Sequence, residues 1–248
     1  MVYERMADSY DLFMENAPYD KWLQWTEQLL KGREVQCIAD VGCGTGEITR
    51  RLAQVYPHVV GVDYAVDMLS KAERKCRDTG TSIQWVCQDV RSLNGITGLD
   101  AVVSFCDVIN YITTEQELAL TFQNIYDALS EKGVFLFDVH ALSFVMENYI
   151  NETFADVTEE ASYIWFCLAG EHIGEMYHEL TFFSKNEKGT YSRFDEVHHQ
   201  RTFSVDFYKK LLQQKGFQNI KVYGDFSVKA NSVDENTARI FFFAEKSE

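Results

Sequence analysis

The sequence predicts an α/β protein built on a doubly wound, mostly parallel sheet with an inserted antiparallel β segment. From residue 35 to about residue 140, short β-branched runs alternate with amphipathic stretches of helical period. Neighbouring parallel strands need a long crossover connection, and the amphipathic stretches are long enough to supply one as a right-handed helical connection. The strand candidates are nearly continuous apolar runs, as expected for a sheet covered on both faces. After residue 140 the pattern changes to strands with short turns.

The core alternation contains five strand candidates and three helix candidates. The strands are expected at 35–41, 58–63, 82–88, 99–106 and 133–140. The helices are expected at 47–56, 65–78 and 115–130, where apolar residues recur at spacings of three and four. A further helix at 204–217, with Ser204 as N-cap and Gly216 as its stop, precedes two closing strands at 219–226 and 238–246. The α/β core is therefore expected to occupy residues 1–140 and to be completed by residues 201–248.

Residues 141–200 interrupt this alternation. Antiparallel strands are expected at 161–170, 176–185 and 190–203, with short turns between them. The segment contains eleven acidic, three basic and eleven aromatic residues, so it carries 8 of the 15 net negative charges. We interpret it as an insertion that forms either a substrate-side lid or an oligomer interface, and the sequence leaves both open.

Composition limits the possible functions. The 248 residues are 46% hydrophobic, which is enough for a sizeable core. The net charge of −15 disfavours nucleic acid as a partner, because phosphate contacts need clustered Lys and Arg. The six cysteines form no C-x-x-C pair, so we expect reduced thiols and no metal site. With no signal-peptide pattern and no apolar stretch long enough to span a membrane, a cytoplasmic protein without a membrane partner is expected.

A glycine-rich turn directly follows the first strand candidate. It reads Asp-Val-Gly-Cys-Gly-Thr-Gly over residues 40–46 and continues into a helix. Such a turn needs glycine wherever the backbone takes positive φ or lets a ligand approach closely. Asp63 ends the next strand, where a carboxylate accepts hydrogen bonds from both ribose hydroxyls, and Asp89 follows the third strand beside the same crevice. The alternative is a tight connection, with Asp63 as a solvated strand end.

A dinucleotide site is the main rival interpretation of the glycine turn. Its fingerprint is G-x-G-x-x-G, whereas this chain has Gly42, Gly44 and Gly46 followed by Glu47. A carboxylate at the start of the helix opposes a pyrophosphate bound there. The pattern therefore favours a nucleoside ligand without phosphates over NAD.

These residues resemble the class I S-adenosylmethionine-dependent methyltransferases. The resemblance rests on residues 40–46, on Gly-Val-Asp at 61–63 with Met68 and Leu69, and on Gln-Asp-Val at 88–90, and residues 35–140 resemble the family most closely. It implies a Rossmann-like methyltransferase fold with seven strands in the order 3-2-1-4-5-7-6, the last one antiparallel. It also implies S-adenosyl-L-methionine as cofactor and methyl transfer as the reaction.

The resemblance assigns cofactor contacts to particular residues. The glycine turn passes under the methionyl part, with Asp40 near the amino group and Asp63 on the ribose hydroxyls. Asp89 meets the adenine amino group, and the backbone N–H of Val90 meets a ring nitrogen. The implied cofactor-binding residues are Tyr10, Asp40, Gly42, Cys43, Gly44, Gly46, Asp63, Tyr64, Met68, Asp89, Val90 and Cys106.

Two residues are candidates for the chemistry itself. Asp107 follows Cys106 at the end of the fourth strand, where this architecture places ligand-facing residues. The alternative role of Asp107 is to cap the next turn. His140 ends the fifth strand and is expected to point into the crevice as a general base for a hydroxyl, amine or carbon acid. Its alternative role is that of a structural histidine at a strand end.

Aromatic residues precede the core. The resemblance implies an amino-terminal helix that covers the bound cofactor, so Tyr10, from a Tyr-Asp pair, is expected to bind the methionyl carboxylate. Tyr3, Trp22 and Trp25 are expected to pack on the sheet instead.

Four histidines fall in the insertion. Their spacing is not that of a metal site, because neighbouring residues of a strand point to opposite faces. We therefore expect surface or lid roles for His172, His178, His198 and His199.

The resulting hypothesis is methyl transfer by in-line displacement at the sulfonium methyl carbon. Alignment of the acceptor and exclusion of water then matter more than a base, because the cofactor already carries a good leaving group. The alternatives are an NAD-dependent oxidoreductase and a non-catalytic adenosylmethionine-binding regulatory protein. A small-molecule acceptor is preferred, followed by protein and then RNA, and the chain is expected to be a monomer or homodimer.

Overall fold

The computed structural model describes residue 14 and residues 17–77, 82–159, 161–185 and 189–247. The helices are α1 (Tyr19–Leu30), α2 (Glu47–Leu52), α3 (Val66–Arg77), α4 (Glu115–Ala128), α5 (Leu142–Asn148) and α6 (Val205–Gln214). The strands are β1 (Cys37–Val41), β2 (His58–Asp63), β3 (Ile83–Cys87), β4 (Leu99–Ser104), β5 (Leu129–His140), β6 (Thr153–Val157), β7 (Ala161–Ala169), β8 (Glu175–Lys185), β9 (Tyr191–Arg201), β10 (Phe217–Gly224) and β11 (Arg239–Lys246). Within these ranges no helix has both the length and the apolar character needed to cross a bilayer.

Seven strands form the main sheet, in the order β10-β11-β5-β4-β1-β2-β3. The pairs among β1 to β5 are parallel, whereas β11 runs antiparallel to both of its neighbours, β5 and β10. The observed order is the one that the sequence resemblance implies. The predicted α/β fold, with its mostly parallel sheet, is confirmed.

Both faces of the main sheet are buried, because successive residues of a strand point in opposite directions. In β5, Phe135 and Phe137 pack into the cluster covered by α4 and α6, while Val134 and Leu136 pack into the cluster covered by α1 and α2. Trp25 is 2% exposed within the second cluster, as expected for an aromatic residue that packs on the sheet. Helices on both faces leave only the strand ends available for a ligand.

The second sheet is antiparallel, in the order β6-β7-β8-β9. Its register places Cys167, His178 and His198 directly opposite one another, so these residues share one face of the sheet. We call this the core-side face, because Gln200 and His198 on it contact residues that follow β4. Val197 and His199 belong to the opposite face of the same sheet.

Helix α5 and strand β6 are not among the elements expected from the sequence. Helix α5 continues the apolar run of β5 without a boundary signal, and its N-cap Ala141 makes no side-chain capping bond. Strand β6 is an edge strand whose side chains are mostly exposed, so it lacks the alternating apolar pattern that predicts a strand.

Helix α6 has the N-cap residue and the terminating glycine that the sequence predicts. The Ser204 Oγ accepts a hydrogen bond from the Phe207 N–H at 3.2 Å. Gly216 follows the helix with a φ of +95°, a conformation that glycine adopts without steric cost.

Candidate active site

A cavity of about 410 Å³ lies at the carboxyl ends of the parallel strands. It is bounded by the turn after β1, the end of β2, the turns after β3 and β4, and Val197 and His199 of β9. Among the residues predicted to bind a cofactor, the cavity wall includes Asp40, Gly42, Cys43, Gly44, Asp63, Tyr64, Met68, Asp89, Val90 and Cys106. Tyr10 lies outside the described residues.

The glycine turn folds back onto β2. The N–H groups of Gly42 and Cys43 both donate to the Val62 carbonyl, at 2.8 and 3.0 Å. A Cβ at Gly42 would collide with Val108, whereas a Cβ at Gly44 would meet no atom within 4 Å. Gly44 therefore presents bare backbone to open space, which lets a ligand approach closely.

Gly46 has a packing role behind the turn. Its φ is +78°, and an added Cβ would lie 2.8 Å from the Trp85 ring and 3.0 Å from the Ala72 Cβ. Gly46 is not among the residues that line the cavity. The third glycine of the motif therefore allows α2 to pack closely against β3 and α3.

Asp63 supports the turn from the end of β2. Its Oδ2 accepts the Gly44 N–H and its Oδ1 accepts the Ala65 N–H, each at 2.8 Å. Burial raises the pKa of this carboxyl group, against the lowering effect of the two backbone hydrogen bonds. Each carboxylate oxygen has a second lone pair that can accept a ligand hydroxyl.

Asp40 is 2% exposed beneath the turn, and its Oδ2 accepts the Thr49 hydroxyl at 2.6 Å. Burial, opposed by the Thr49 hydrogen bond and reinforced by the nearby Asp63, raises the pKa of Asp40 to about 7. A carboxyl group with this pKa readily loses its proton when a cationic group binds beside it.

Asp89 begins the 3-10 turn Val90–Ser92 and caps it by accepting the Arg91 N–H at 2.8 Å. The Arg91 guanidinium also binds both Asp89 oxygens and donates to Glu117 at 2.8 Å. The Arg91 hydrogen bonds lower the pKa of Asp89, so its carboxylate is a charged acceptor at the rim of the cavity. The first N–H groups of such a turn, including that of Val90, have no partner within it.

The turn after β4 is unusual in its backbone. Cys106 and Asp107 have φ values of 58° and 54°, in the left-handed region that disfavours residues other than glycine. Cys106 lines the cavity, and burial raises the pKa of its thiol well above the ordinary value. The Cys106 thiol is thus neutral and contributes an apolar surface rather than a nucleophile.

Asp107 and His140 meet in a buried charged cluster rather than in the cavity wall. The Asp107 carboxylate accepts hydrogen bonds from the Arg239 guanidinium at 3.0 Å and from the Gln200 amide at 2.9 Å. Its Oδ1 also lies 3.5 Å from His140 Nε2. Although burial opposes ionisation, His140 and Arg239 hold the pKa of Asp107 well below its usual range. Asp107 precedes the 3-10 turn Val108–Tyr111 without capping it through its side chain. The catalytic assignment of both residues stays a prediction, and this geometry favours a positioning role.

Arg239 links this cluster to Asp138, with 3.1 Å between its Nη1 and the Asp138 Oδ2. The indole N–H of Trp22 donates to the same oxygen at 2.6 Å, and the Asp107 N–H donates to Oδ1 at 2.8 Å. Three distant segments therefore converge on one buried carboxylate. Trp22 packs on the main sheet as expected, and its indole N–H also bonds Asp138.

Known proteins resemble the chain over its full length. A family model described as a methyltransferase domain matches residues 38–133. YqeM of Bacillus subtilis (strain 168), which is named provisionally as a methyltransferase, is 41% identical over 250 residues, covering 100% of this chain and 98% of that protein. A crystal structure of a S-adenosylmethionine-dependent methyltransferase from Clostridium acetobutylicum ATCC 824 shares 27% identity with a TM-score of 0.89, covering 99% of each chain. The chain belongs to the S-adenosylmethionine-dependent methyltransferases.

A more distant relative of this methyltransferase carries a specific activity in its name. Glycine/sarcosine N-methyltransferase of Halorhodospira halochloris is 28% identical over 214 residues, covering 84% of this chain and 75% of that protein. Neither the oxidoreductase alternative nor the non-catalytic alternative receives support from these relatives.

The residues of this methyltransferase fit S-adenosylmethionine, which supplies an electrophilic methyl group on a sulfonium when bound. Gly44 presents open backbone, Asp63 offers acceptors for ribose hydroxyls, and Asp40 offers a buried acid for an ammonium group. From the sequence, Glu47 is expected to repel a pyrophosphate. In the structure it forms ion pairs with Arg50, Arg51 and Lys75. These cations compensate the charge of Glu47, so Glu47 alone would not repel a pyrophosphate. What argues against NAD as cofactor is therefore the family to which the chain belongs.

Arg239, Gln200 and Arg91 were not singled out from the sequence. Arg91 directly follows the Gln-Asp-Val motif, so the adjacent opposite charge was a usable signal. Arg239 and Gln200 reach Asp107 from 132 and 93 residues away along the chain. No local spacing indicates contacts of that kind.

Proposed function

We propose that this methyltransferase transfers a methyl group from S-adenosylmethionine to a small molecule bound between the turn after β4 and the insertion sheet. The proposal rests on one observation: Gly44 and Asp63 line the same cavity as Val197 and His199 of the insertion. A cofactor held at the glycine turn therefore shares its cavity with residues of the insertion.

The size and charge of the site support a small acceptor. The cavity of about 410 Å³ falls in the range of small-molecule sites and has to hold the cofactor as well, which leaves little room for the acceptor. The acidic insertion disfavours an anionic polymer as acceptor. The relative named for glycine and sarcosine methylation also acts, by its name, on small molecules.

The cofactor contacts form part of the proposal. Asp63 holds the ribose, Asp40 the methionyl amino group, and Asp89 with Val90 the adenine edge, while Cys106 lies near the reacting end. The protein contributes alignment and exclusion of water, which are the main requirements when the leaving group is already good. The six free cysteines agree with a reducing cytoplasm as the site of action.

The proposal is tested by calorimetric titration with S-adenosylmethionine, S-adenosylhomocysteine and NAD in parallel. We expect both adenosyl ligands to bind and NAD not to bind. An assay of S-adenosylhomocysteine release with small amines, alcohols and carboxylic acids, and with protein and RNA acceptors, then identifies the acceptor. Turnover only with protein or RNA would overturn the small-molecule proposal.

A further inference from the structure

A carboxylate, an imidazole and a phenol form a continuous hydrogen-bonded series beside the cavity. The Glu196 Oε2 lies 3.1 Å from His198 Nε2, and His198 Nδ1 lies 2.9 Å from the Tyr111 hydroxyl. Tyr111 lines the cavity, while the side chains of His198 and Glu196 are only 6% and 8% exposed. The series thus runs from a nearly buried carboxylate to the cavity wall.

The direction of each hydrogen bond follows from the chemistry of the groups. A carboxylate only accepts, so His198 Nε2 carries the hydrogen that Glu196 receives. In the neutral ring Nδ1 is then an acceptor, and the Tyr111 hydroxyl donates to it. Glu196 therefore fixes the imidazole in the tautomer that can take a proton from Tyr111.

Charged and titratable groups surround the series, since Asp89, Arg91 and Glu117 line the same cavity as Tyr111, and Asp107 and His140 lie near His178. Among the described residues, His178 lies directly across from His198 on β8. The Trp165 N–H donates to His178 Nδ1 at 2.9 Å, so His178 Nε2 carries the hydrogen and donates to Gln200. Burial lowers the pKa of His178 to about 4, which keeps it neutral beside His198. Burial, Asp63 and Asp89 raise the pKa of Tyr64 at the cavity wall, and Glu196 adds a smaller contribution in the same direction.

We propose that Tyr111, His198 and Glu196 form a proton-accepting relay for the methyl acceptor, and that this acceptor is a small amine. The proposal rests on the proposed methyl transfer and names the substrate class of that same site. Tyr111 contacts the acceptor as the catalytic residue, whereas His198 and Glu196 act through Tyr111 as positioning residues.

An amine that arrives as an ammonium ion needs such a relay, and unlike an alcohol or a carboxylic acid it also suits the negative charge of the site. At neutral pH an aliphatic amine is an ammonium ion, whose nitrogen has no lone pair until a proton is removed. The net negative insertion and the Glu196 carboxylate attract the ammonium form. Tyr111 in the cavity wall adds an aromatic ring, a group that attracts cations.

The proton and electron balance closes without another reactant. One N–H bond of the ammonium breaks and its proton passes to the Tyr111 oxygen, while the Tyr111 hydroxyl proton moves to His198 Nδ1. The freed nitrogen lone pair forms the bond to the methyl carbon, and the sulfur keeps the electron pair of the broken C–S bond. The product is a methylated ammonium, and His198 returns its proton to solvent after turnover.

The substrate class is tested with matched pairs of probes that differ only in nitrogen or oxygen. Glycine, ethanolamine and putrescine are compared with glycolate, ethylene glycol and 1,4-butanediol, with S-adenosylhomocysteine release as the readout. We expect turnover with amine probes and none with their oxygen counterparts. Turnover with the oxygen probes alone would overturn the amine assignment while leaving the proposed function intact.

The relay is tested with Tyr111→Phe, which removes only the hydroxyl. We expect kcat with an amine probe to fall about 100-fold at pH 7, with S-adenosylmethionine affinity unchanged. The defect should shrink as the pH rises toward 9.5, because free amine then replaces the ammonium form. Tyr126→Phe is the matched control, since its hydroxyl bonds Ser247 away from the cavity, and it should retain the wild-type rate. A loss that is the same at every pH would indicate a structural role and overturn the relay.

A measurement on the protein without substrate tests the geometry of the relay independently. The ¹⁵N chemical shifts of labelled histidine should show His198 with its hydrogen on Nε2, and Tyr111→Phe should shift the Nδ1 resonance. Glu196→Gln should weaken the tautomer preference and lower kcat in the same direction as Tyr111→Phe. A hydrogen on Nδ1 in the wild-type protein would overturn the relay. Absence of cofactor binding would instead refute the proposed function, so the two failures are distinguishable.

Discussion

Asp63 connects the glycine turn to the proposed ribose contact through a single carboxylate. Asp63→Asn keeps the size of the side chain but replaces one acceptor oxygen with a nitrogen that cannot accept. We expect a loss of about 1–3 kcal/mol in the free energy of S-adenosylmethionine binding, measured by calorimetry.

The neighbouring Asp67 provides a matched control for this substitution. It is an exposed carboxylate in the first turn of α3, outside the cavity wall. Asp67→Asn should leave the affinity unchanged. Equal affinities for all three proteins would exclude Asp63 from the ribose contact.

Asp40 predicts a pH dependence of cofactor binding. Its folded-state pKa of about 7 means that the neutral acid predominates below pH 7 and the carboxylate above it. If the carboxylate binds the methionyl ammonium, S-adenosylmethionine affinity rises as the pH increases from about 6 to about 8, and proton release accompanies binding below pH 7. Calorimetry in buffers of different ionisation enthalpy measures both effects.

Asp40→Asn separates this effect from that of Asp63, whose pKa is also raised. The amide still accepts the Thr49 hydroxyl but does not titrate. The pH dependence should flatten in the variant. A variant that retains the full wild-type dependence would assign the proton to another group.

The residues that the sequence placed correctly around the cavity are those fixed by local spacing. Asp40, Gly44 and Asp63 follow from a strand, a turn and the next strand, so their meeting is determined by short segments. Asp107 and His140 follow strand ends in the same way, but Arg239 and Gln200 draw Asp107 into the interior. Their position depends on partners that no local pattern reveals.

At the scale of elements, Gln200 joins the insertion sheet to the main sheet. Its amide bridges His178 and Asp107 and is 3% exposed. Gln200→Leu should lower the free energy of unfolding by about 1–3 kcal/mol, because it leaves buried polar partners without a hydrogen bond. Urea unfolding measures the change.

Gln123→Leu is the corresponding control on α4. Within the described part of the chain, the Gln123 amide bonds Asp127 one helical turn away and no other side chain, and Gln123 is partly exposed. Its loss should change stability by no more than about 0.5 kcal/mol. A Gln200 variant as stable as the Gln123 variant would show that the bridge contributes no stability.

The packing of α2 against β3 gives a second prediction at this scale. Gly46→Ala places a Cβ against Trp85 and Ala72, whereas Gly32→Ala, at φ +83°, meets no atom within 4 Å. Both variants carry the same backbone penalty for positive φ. Gly46→Ala should therefore destabilise the protein by about 1–3 kcal/mol more than Gly32→Ala in urea unfolding. Equal losses would mean that Trp85 moves aside without cost.

Element prediction succeeded where hydrophobic period and turn chemistry agree. The bounds of β2 are reproduced residue for residue, because charged or turn residues limit an apolar run at both ends. The predicted fourth strand extends two residues too far, since Phe105 and Cys106 are apolar but follow the strand, and Cys106 has the left-handed conformation. Apolar character alone does not distinguish a buried strand from a buried turn.

The net charge of the whole molecule predicts that it does not bind nucleic acids. With 38 acidic against 23 basic residues, few phosphates can be neutralised at once. We expect no measurable binding of a 30-nucleotide RNA at 0.15 M salt, followed by fluorescence anisotropy, because polynucleotide affinity depends on clustered cations. Dissociation constants below about 1 μM would reveal a local basic groove and would reopen RNA as acceptor.

The position of β11 has a consequence for synthesis of the protein. This strand lies between β5 and β10, although it comes after both of them along the chain. The nascent chain can assemble β1 to β5, but β10 has no neighbour to join until residues 239–246 emerge. Arg239 is synthesised with this strand, so Asp107 and Asp138 lack their shared arginine until residue 239 has been added. A premature stop codon that removes this strand would release a chain with an open sheet and without the arginine that pairs with both buried carboxylates.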